Sequence, residues 1–541
     1  MRVYQAIGQA LTDSKVETVF GVMGDGNMQH LSDFILNQGG RFIPTVSEGG
    51  AVSMADGYFR TTGRVGVASI THGPAVTNAL TALVEATRSQ SAVVVVTGDT
   101  PSQRFHLQEL DLRGAANLAG AHYVRVRKPE NVVDELAAAL GQAEATRRPV
   151  LLDIPIDLQT CEIEYRFYQS EPHETSGQRG DAESIDRALG VLLSVRRPII
   201  IAGRGAATPK ARGAILELAD LLGAPVATTL LARDLFRGHP FDLGIAGTLS
   251  TNIAVETFGS ADCVLVFGAG LNGFTTADGS LVKGKAVVRC DVDSVRMNRF
   301  FRPTVAVVGD AYEVATQMLE QLHDVVTPST SLRSPELATQ LSQFSPSHEF
   351  TDTSSERCMD MRMALIQLDE RLPRERTVVT DAGRFCRAAW KYLRNSGPNT
   401  FLPAINFGSI GLGTATAVGV AIGCPDRLTV AVVGDAGAMM AIAEFSTAVR
   451  QHLPLIVVVM NDGALGAEYT KLKGFGIDPT ISLMDWPEFS DLGVALGGYG
   501  ASVRSTADID RAIEEINAGH VPMILDVKCD PSVDVMSARQ D

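Results

Sequence analysis

Nowhere does this 541-residue chain keep apolar residues together for the ~18 positions a membrane-crossing helix needs, so a spanning segment is excluded. Basic runs are missing too. The formal charge is −15, and no cluster of Lys and Arg is there to neutralise phosphates, which argues against nucleic acid or an anionic membrane as partner. Seven cysteines (161, 263, 290, 358, 386, 424 and 529) are scattered without a Cys-x-x-Cys, so neither a disulfide framework nor a zinc site is indicated, and a reducing cytoplasm is the expected location. No signal peptide opens the chain, because Met1 to Ser14 already reads as an amphipathic helix carrying Tyr4, Ile7 and Leu11. Also absent is a strand-linked Gly-x-Gly-x-x-Gly followed by an acid about 20 residues later, so a nicotinamide dehydrogenase is not supported.

What is present is an α/β pattern. Hydrophobic content is 45%, and Ala/Gly/Val-rich strands alternate with helices throughout. The chain is too long for one core and suggests three domains. Two polar stretches, 168–181 and 327–356, lack periodicity and read as surface linkers. They delimit segments of 1–165, 186–326 and 357–541, each expected to fold as a doubly wound parallel sheet.

The most informative stretch lies between Val433 and Gly463. An apolar strand, Leu428 to Val433, ends on Gly434-Asp435; a helix is expected over about Ala438 to Gln451; a second apolar strand, Leu455 to Met460, ends on Asn461. In a parallel sheet, ligands gather beyond the carboxyl ends of strands, and the helix between them offers free N–H groups to a phosphate. Asp435 and Asn461 are oxygen donors of the kind Mg²⁺ shares with a diphosphate. A second corner carries a lone acid: Arg41 to Val46 reads as a strand, Ser47-Glu48-Gly49-Gly50 follows, and Ala51 to Phe59 continues as a helix.

These two pieces resemble the signatures of thiamine-diphosphate (ThDP) enzymes. Gly434-Asp435-Ala436 and Asn461-Asp462, separated by residues 437–460, resemble the Gly-Asp-Gly to Asn-Asn diphosphate motif, with Ala436 for the third glycine and Asp462 for the second asparagine. The resemblance implies Mg²⁺ held by Asp435, Asn461 and the main-chain carbonyl of Gly463, with Gly434, Ala436, Gly437 and Leu465 also at the cofactor. Glu48-Gly49-Gly50-Ala51-Val52-Ser53-Met54-Ala55-Asp56-Gly57-Tyr58 is similar to the segment that presents the activating acid to the aminopyrimidine, which implies Glu48 in that role. Thr71-His72-Gly73-Pro74-Ala75-Val76-Thr77-Asn78 is similar to the Gly-Pro-Gly-x-x-Asn turn of acetolactate synthases, which implies Asn78 at the cofactor. Gly408-Ser409-Ile410-Gly411 looks like the loop that holds ThDP bent, with Ile410 as the supporting apolar residue and Ser409 beside it.

The resemblance covers essentially the whole chain and points to the pyruvate decarboxylase and acetolactate synthase superfamily, with pyrimidine-binding, central and diphosphate-binding domains in that order. It implies small-molecule substrates and half-sites meeting between subunits of a homodimer or homotetramer. Around the reacting centre the signals divide. Asp25, in Gly21-Val22-Met23-Gly24-Asp25-Gly26-Asn27, resembles a decarboxylase proton-relay acid, and His106 takes the place of a decarboxylase histidine. Gln108 takes that of a carboligase glutamine, and His72 is a further catalytic candidate. The glutamate that decarboxylases place six residues after the metal-binding Asn is here Ala467, with Glu468 one position on. FAD is not expected, because Gly268-Ala269-Gly270 lacks the arginine that acetolactate synthases carry there, and Ala202-Gly203-Arg204-Gly205 alone is weak evidence for a nucleotide. The expected activity is acetolactate-synthase-like carboligation or lysis of a 2-oxo acid or 2-hydroxy ketone. Simple 2-oxo acid decarboxylation and a non-catalytic ThDP-binding subunit are the alternatives.

Overall fold

The computed structural model describes residues 1–101, 106–168, 177–323, 332–533 and 535. Long apolar runs form three six-stranded parallel sheets, whose central strands are buried on both faces, as parallel sheets covered by helices require. The first sheet holds β1 (Thr18–Gly21), β2 (Arg41–Pro44), β3 (Gly66–Ile70), β4 (Val93–Asp99), β5 (His122–Arg125) and β6 (Val150–Pro155) in the order β2-β1-β3-β4-β6-β5. The second holds β7 (Pro198–Ala202), β8 (Val226–Thr228), β9 (Asp242–Ile245), β10 (Cys263–Phe267), β11 (Ala286–Asp291) and β12 (Val305–Val308), ordered β12-β11-β10-β7-β8-β9. The third repeats the order of the first, β14-β13-β15-β16-β18-β17, with β13 (Arg376–Thr380), β14 (Phe401–Pro403), β15 (Leu428–Gly434), β16 (Leu455–Asn461), β17 (Tyr499–Val503) and β18 (Met523–Lys528).

Strand order fixes where ligands can sit. In each sheet the order reverses beside the first strand, opening a crevice between β1 and β3, β7 and β10, or β13 and β15. The Asp25 turn follows β1 and His72 follows β3; Asp381 follows β13 and Asp435 follows β15.

The described residues form two compact units. One gathers Met1–Pro172, Thr353–Ala389 and Leu402–Val535; the other gathers His173–Asp352 and Trp390–Phe401. Within the first unit the helices Glu48–Thr62 and Gly413–Gly423 pack backbone to backbone. A Cβ on Gly57 would stand 2.2 Å from the Thr416 carbonyl oxygen, and one on Gly419 would stand 2.0 Å from that of Met54, so glycine is required at both crossings. Among the described residues no helix is long and apolar enough to cross a membrane.

Three local expectations change. The helix expected over 438–451 is three pieces, Asp435–Ala441, a 3₁₀ turn Ile442–Glu444 and Phe445–Arg450, and the break turns the Glu444 carboxylate into the interior. The corner strand stops at Pro44, and its helix starts at Glu48 rather than Ala51, because the Ser47 hydroxyl caps it by accepting the Gly50 N–H at 3.0 Å. The stretch 327–356 is not all linker: Ser334 caps a helix Pro335–Gln343 whose Leu337 is buried, with proline at the first helical position. Residues 169–176 and 327–331 of the two polar stretches lie outside the described residues.

Candidate functional site

The first half-site is built around Glu48, the first residue of its helix and half-buried. Asn78, on the helix Pro74–Ser89, donates its amide to Glu48 Oε2 at 3.2 Å, so two residues predicted at the cofactor meet. Below them, a carboxylate unnoticed in the sequence holds the corner. Glu444 accepts the N–H of Val46 (3.2 Å), the N–H of Ser47 (2.9 Å), the Ser47 hydroxyl (3.0 Å) and the Thr447 hydroxyl (3.1 Å).

Beyond β1 and β3 lies a cluster of imidazoles. His72 and His106 pack edge to face with ring centroids 5.5 Å apart. His72 is 1% exposed; its Nδ1 lies 3.3 Å from the Thr71 hydroxyl, while Nε2 has no hydrogen-bond partner within the protein. Burial first, then the charge of His106, lowers the His72 pKa, against an opposing pull from Gln108, Asp99 and Asp25. The Thr71 hydroxyl also accepts the Gly26 N–H at 3.0 Å, which ties the exposed Asp25 turn to the same spot. Gln108 N–H lies 3.3 Å from His106 Nδ1. The four residues expected around the reacting centre, Asp25, His72, His106 and Gln108, are therefore brought together. Arg104 and Phe105, which begin the His106 segment, lie outside the described residues.

The second half-site surrounds Asp435, 3% exposed at the end of β15. Burial, and after it the neighbouring Asp462, pushes the Asp435 carboxyl up to about 7. Its Oδ1 accepts the Ala436 N–H at 2.7 Å. Gly437 follows, where a Cβ would lie 2.7 Å from Asp381 Oδ2. Asn461 ends β16 in register with Lys528, and its amide donates to Asp526 Oδ1 at 2.9 Å. The Gly463 carbonyl accepts the Met484 N–H at 2.8 Å, and Leu465 N–H donates to Ser482 at 2.8 Å just before the helix Gly466–Gly474. Glu468 is exposed on that helix, 3.5 Å from Lys471, and Ala467 is half-buried.

The Ile410 loop is pinned at both ends. Asp381 Oδ2 accepts the Gly411 N–H at 2.8 Å, and Glu85 accepts the N–H groups of Asn406 (3.0 Å) and Phe407 (2.6 Å). Ser409 turns its hydroxyl onto the Ile410 carbonyl at 3.1 Å, leaving Ile410 half-buried. Asp381 is fully buried and its carboxyl is pushed by burial up to about 7. Asp381, Glu85, Glu444 and Arg384 were not found from sequence. The available signal was position: Asp381 and Arg384 follow a strand beside the switch point.

Comparison with known proteins agrees with this arrangement. The N-terminal TPP binding domain of thiamine pyrophosphate enzymes matches residues 1–125, their central domain matches 185–318, and their C-terminal TPP binding domain matches 381–527. The chain belongs to the thiamine pyrophosphate enzymes. It is 28% identical to a sulfoacetaldehyde acetyltransferase of Alcaligenes xylosoxydans xylosoxydans, over 94% of this chain and 89% of the relative. It is also 28% identical to the acetolactate synthase isozyme 3 large subunit of Escherichia coli (strain K12), over 94% and 91%. To a probable 2-ketoarginine decarboxylase of Pseudomonas aeruginosa it is 27% identical, over 95% and 91%. In this thiamine pyrophosphate enzyme, the first and third sheets, which share one strand order, carry the two matched TPP-binding regions, so the two half-sites fall on the two regions that the family devotes to its cofactor.

Proposed function

We propose that this chain is a ThDP-dependent, acetolactate-synthase-like carboligase that acts on a 2-oxo acid or 2-hydroxy ketone. The observation that supports it most is the pairing, on two like sheets, of an acid at a helix start (Glu48) with an acid at a strand end (Asp435). When bound, ThDP supplies the electron sink for making or breaking a bond next to a carbonyl. The residues present fit it. Glu48, steadied by Asn78, would hold the aminopyrimidine and carry a proton to it. Asp435 and the turn 461–463 are buried oxygen donors of the hard kind that Mg²⁺ takes. Ile410, on a loop pinned by Glu85 and Asp381, would support the cofactor from below.

At the reacting centre, Gln108 would orient an acceptor carbonyl. Burial and then the charge of His106 disfavour a proton on His72, so a neutral His72 imidazole packed against His106 is placed to accept a proton or a hydrogen bond at the reacting centre. That pair is the observation favouring a second reading, simple decarboxylation of a 2-oxo acid. The reading includes no flavin, given Gly270 in the family's arginine position. It divides the chain into pyrimidine-binding (1–165), central (186–326) and diphosphate-binding (357–541) domains. It also makes the active unit a cytoplasmic homodimer or homotetramer in which Glu48 and Asp435 of one chain serve different sites. The deciding experiment measures CO₂ release from a panel of 2-oxo acids, with and without aldehyde or ketone acceptors. Hydroxy ketone formed only when acceptor is added supports carboligation, aldehyde formed regardless supports decarboxylation, and no product with any donor would refute both.

A further inference from the structure

Gly26 leaves no space in the turn that carries Asp25. A Cβ there would stand 2.9 Å from His72 Nδ1, 3.0 Å from the Thr71 hydroxyl oxygen and 3.1 Å from the Gly98 Cα, so the backbone runs directly against the histidine. Both polar backbone groups of this residue are bonded to other elements. Its N–H donates to the Thr71 hydroxyl at 3.0 Å, and its carbonyl accepts the side-chain amide of Gln159 at 2.7 Å, across 133 positions of sequence. Asn27, fully buried, closes the turn from inside: its Oδ1 accepts the Gly24 N–H at 2.7 Å, and its amide donates to the Val22 carbonyl at 3.0 Å.

Gln159 is 2% exposed, on the turn after β6, and backbone bonds hold it there. Its carbonyl accepts the Tyr4 N–H at 3.0 Å, and Ile156, at the start of the same turn, donates its N–H to the Asp99 carbonyl at 3.1 Å. A buried side-chain amide needs a partner, and this one is turned onto the Asp25 turn rather than onto its own strand. On the other side, the Thr71 carbonyl accepts the Thr97 hydroxyl at 2.7 Å, which ties Thr71 to β4. With the peptides on both sides of Gly26 fixed, the place from which the Asp25 side chain leaves the turn is fixed as well.

We propose that Gln159 is a positioning residue for the reacting centre: opposite Thr71 across Gly26, it holds Asp25 in register with His72. This rests on the ThDP reading above and deepens it. Displacement of a reacting group by about 1 Å can cost up to about 10²-fold in rate, so one lost bond at Gly26 is expected to be felt at the chemistry.

The test compares Gln159→Met, which keeps the length but has no donor, with Thr71→Val and Thr71→Ser, which remove and keep the hydroxyl on the other side of Gly26. Backbone hydrogen exchange of the cofactor-free full chain reads the turn, and the ThDP-loaded enzyme gives aldehyde release beside 2-oxo acid decarboxylation. Gln159→Met and Thr71→Val should speed exchange over residues 22–28 about tenfold or more while β4 and β6 exchange as in wild type. Both should lower aldehyde release about tenfold relative to decarboxylation, and Thr71→Ser should stay within about threefold of wild type. Added to Asp25→Asn, Gln159→Met should change the product ratio by less than about twofold. A contact that only stabilises the fold would slow both rates together, and its effect would multiply with that of Asp25→Asn. The inference is overturned if Gln159→Met leaves exchange at the turn and the product ratio within about twofold of wild type, or if its effect multiplies with that of Asp25→Asn. Should Gln159→Met fail to fold, the two Thr71 variants decide on the same terms. Wild-type protein that turns over no 2-oxo acid would remove the ThDP reading, whereas exchange would still decide whether Gln159 holds the turn.

Discussion

Replacing Glu444 should loosen the corner that presents Glu48. The carboxylate is 3% exposed and accepts four donors, two of them the backbone N–H groups of Val46 and Ser47 immediately before the helix. Hydrogen bonds to a charged group contribute roughly 1.5–3 kcal/mol each when buried. Val46 and Ser47 are exposed, so water replaces part of what is lost, and Glu444→Ala should cost about 2–4 kcal/mol rather than the full sum. Glu444→Gln keeps the shape and one acceptor oxygen but turns an amide donor toward N–H groups, so about 1–2 kcal/mol is expected. The assay is urea unfolding of each variant, followed by fluorescence and by activity, because a chain of two units can unfold in stages. Activity should be lost at lower urea than the bulk fold, since the corner opens before the sheets do. Kinetically, kcat should fall about tenfold or more, and combining Glu444→Gln with Glu48→Gln should cost little more than Glu48→Gln alone. If Glu444→Ala unfolds within about 0.5 kcal/mol of wild type and keeps its kcat, the corner is held by other contacts and the reasoning fails.

Three further outcomes are expected. Glu48→Gln should retain ThDP and Mg²⁺ yet lose roughly 10²–10⁴-fold in turnover, the range of general acid–base groups; activity within about twofold of wild type would exclude its role. Asp435→Ala should abolish Mg²⁺-dependent ThDP retention, and unchanged affinity by calorimetry would contradict its place at the metal. His106→Ala and Asp25→Asn should lower aldehyde release more than substrate decarboxylation, with Gln108→Ala doing the reverse, each by about tenfold or more; a constant product ratio across all three would separate these loops from the reacting centre.

How far the sequence could be read depended on whether a residue's partner was near in the chain. Glu48, Asn78, Asp435 and the Ile410 loop were legible because each lies in a short motif at a strand-to-helix corner, where local spacing carries the information. The carboxylates that hold these pieces in place were not. Glu444 contacts residues almost four hundred positions earlier, Glu85 contacts Asn406 across 321 positions, and Arg384 contacts Asp462 across 78. No periodicity reports such pairings: those of Glu444 and Glu85 exist only after the two TPP-binding regions have docked, and that of Arg384 only after the third sheet has formed. The helix break at 442–444 was hidden for the same reason: the apolar pattern continues through it, and the contact it serves, Glu444 with the Ser47 corner, is distant in the chain. The helix at 335–343 had a local signal, Ser334-Pro335-Glu336, that a composition rich in Ser, Thr and Pro masked.

The shared strand order of the first and third sheets relates these hidden latches to each other. Glu48–Thr62 follows β2 and leads to β3 as Gly413–Gly423 follows β14 and leads to β15, and these are the helices that cross at Gly57 and Gly419. The helix after β3 carries Glu85, and the 3₁₀ turn within the helical connection after β15 carries Glu444. Each glutamate reaches across the pairing to the loop before the other's crossing helix: Glu85 takes the N–H groups of Asn406 and Phe407, and Glu444 takes those of Val46 and Ser47. A carboxylate is suited to this because it accepts several N–H groups at once and offers no donor to compete. Each half therefore fixes a loop of the other that the proposed function turns toward the cofactor, that of Ile410 on one side and that of Glu48 on the other. An isolated half would expose both a buried acid and an unanchored corner, so neither TPP-binding region should hold the loop before its own crossing helix when expressed alone.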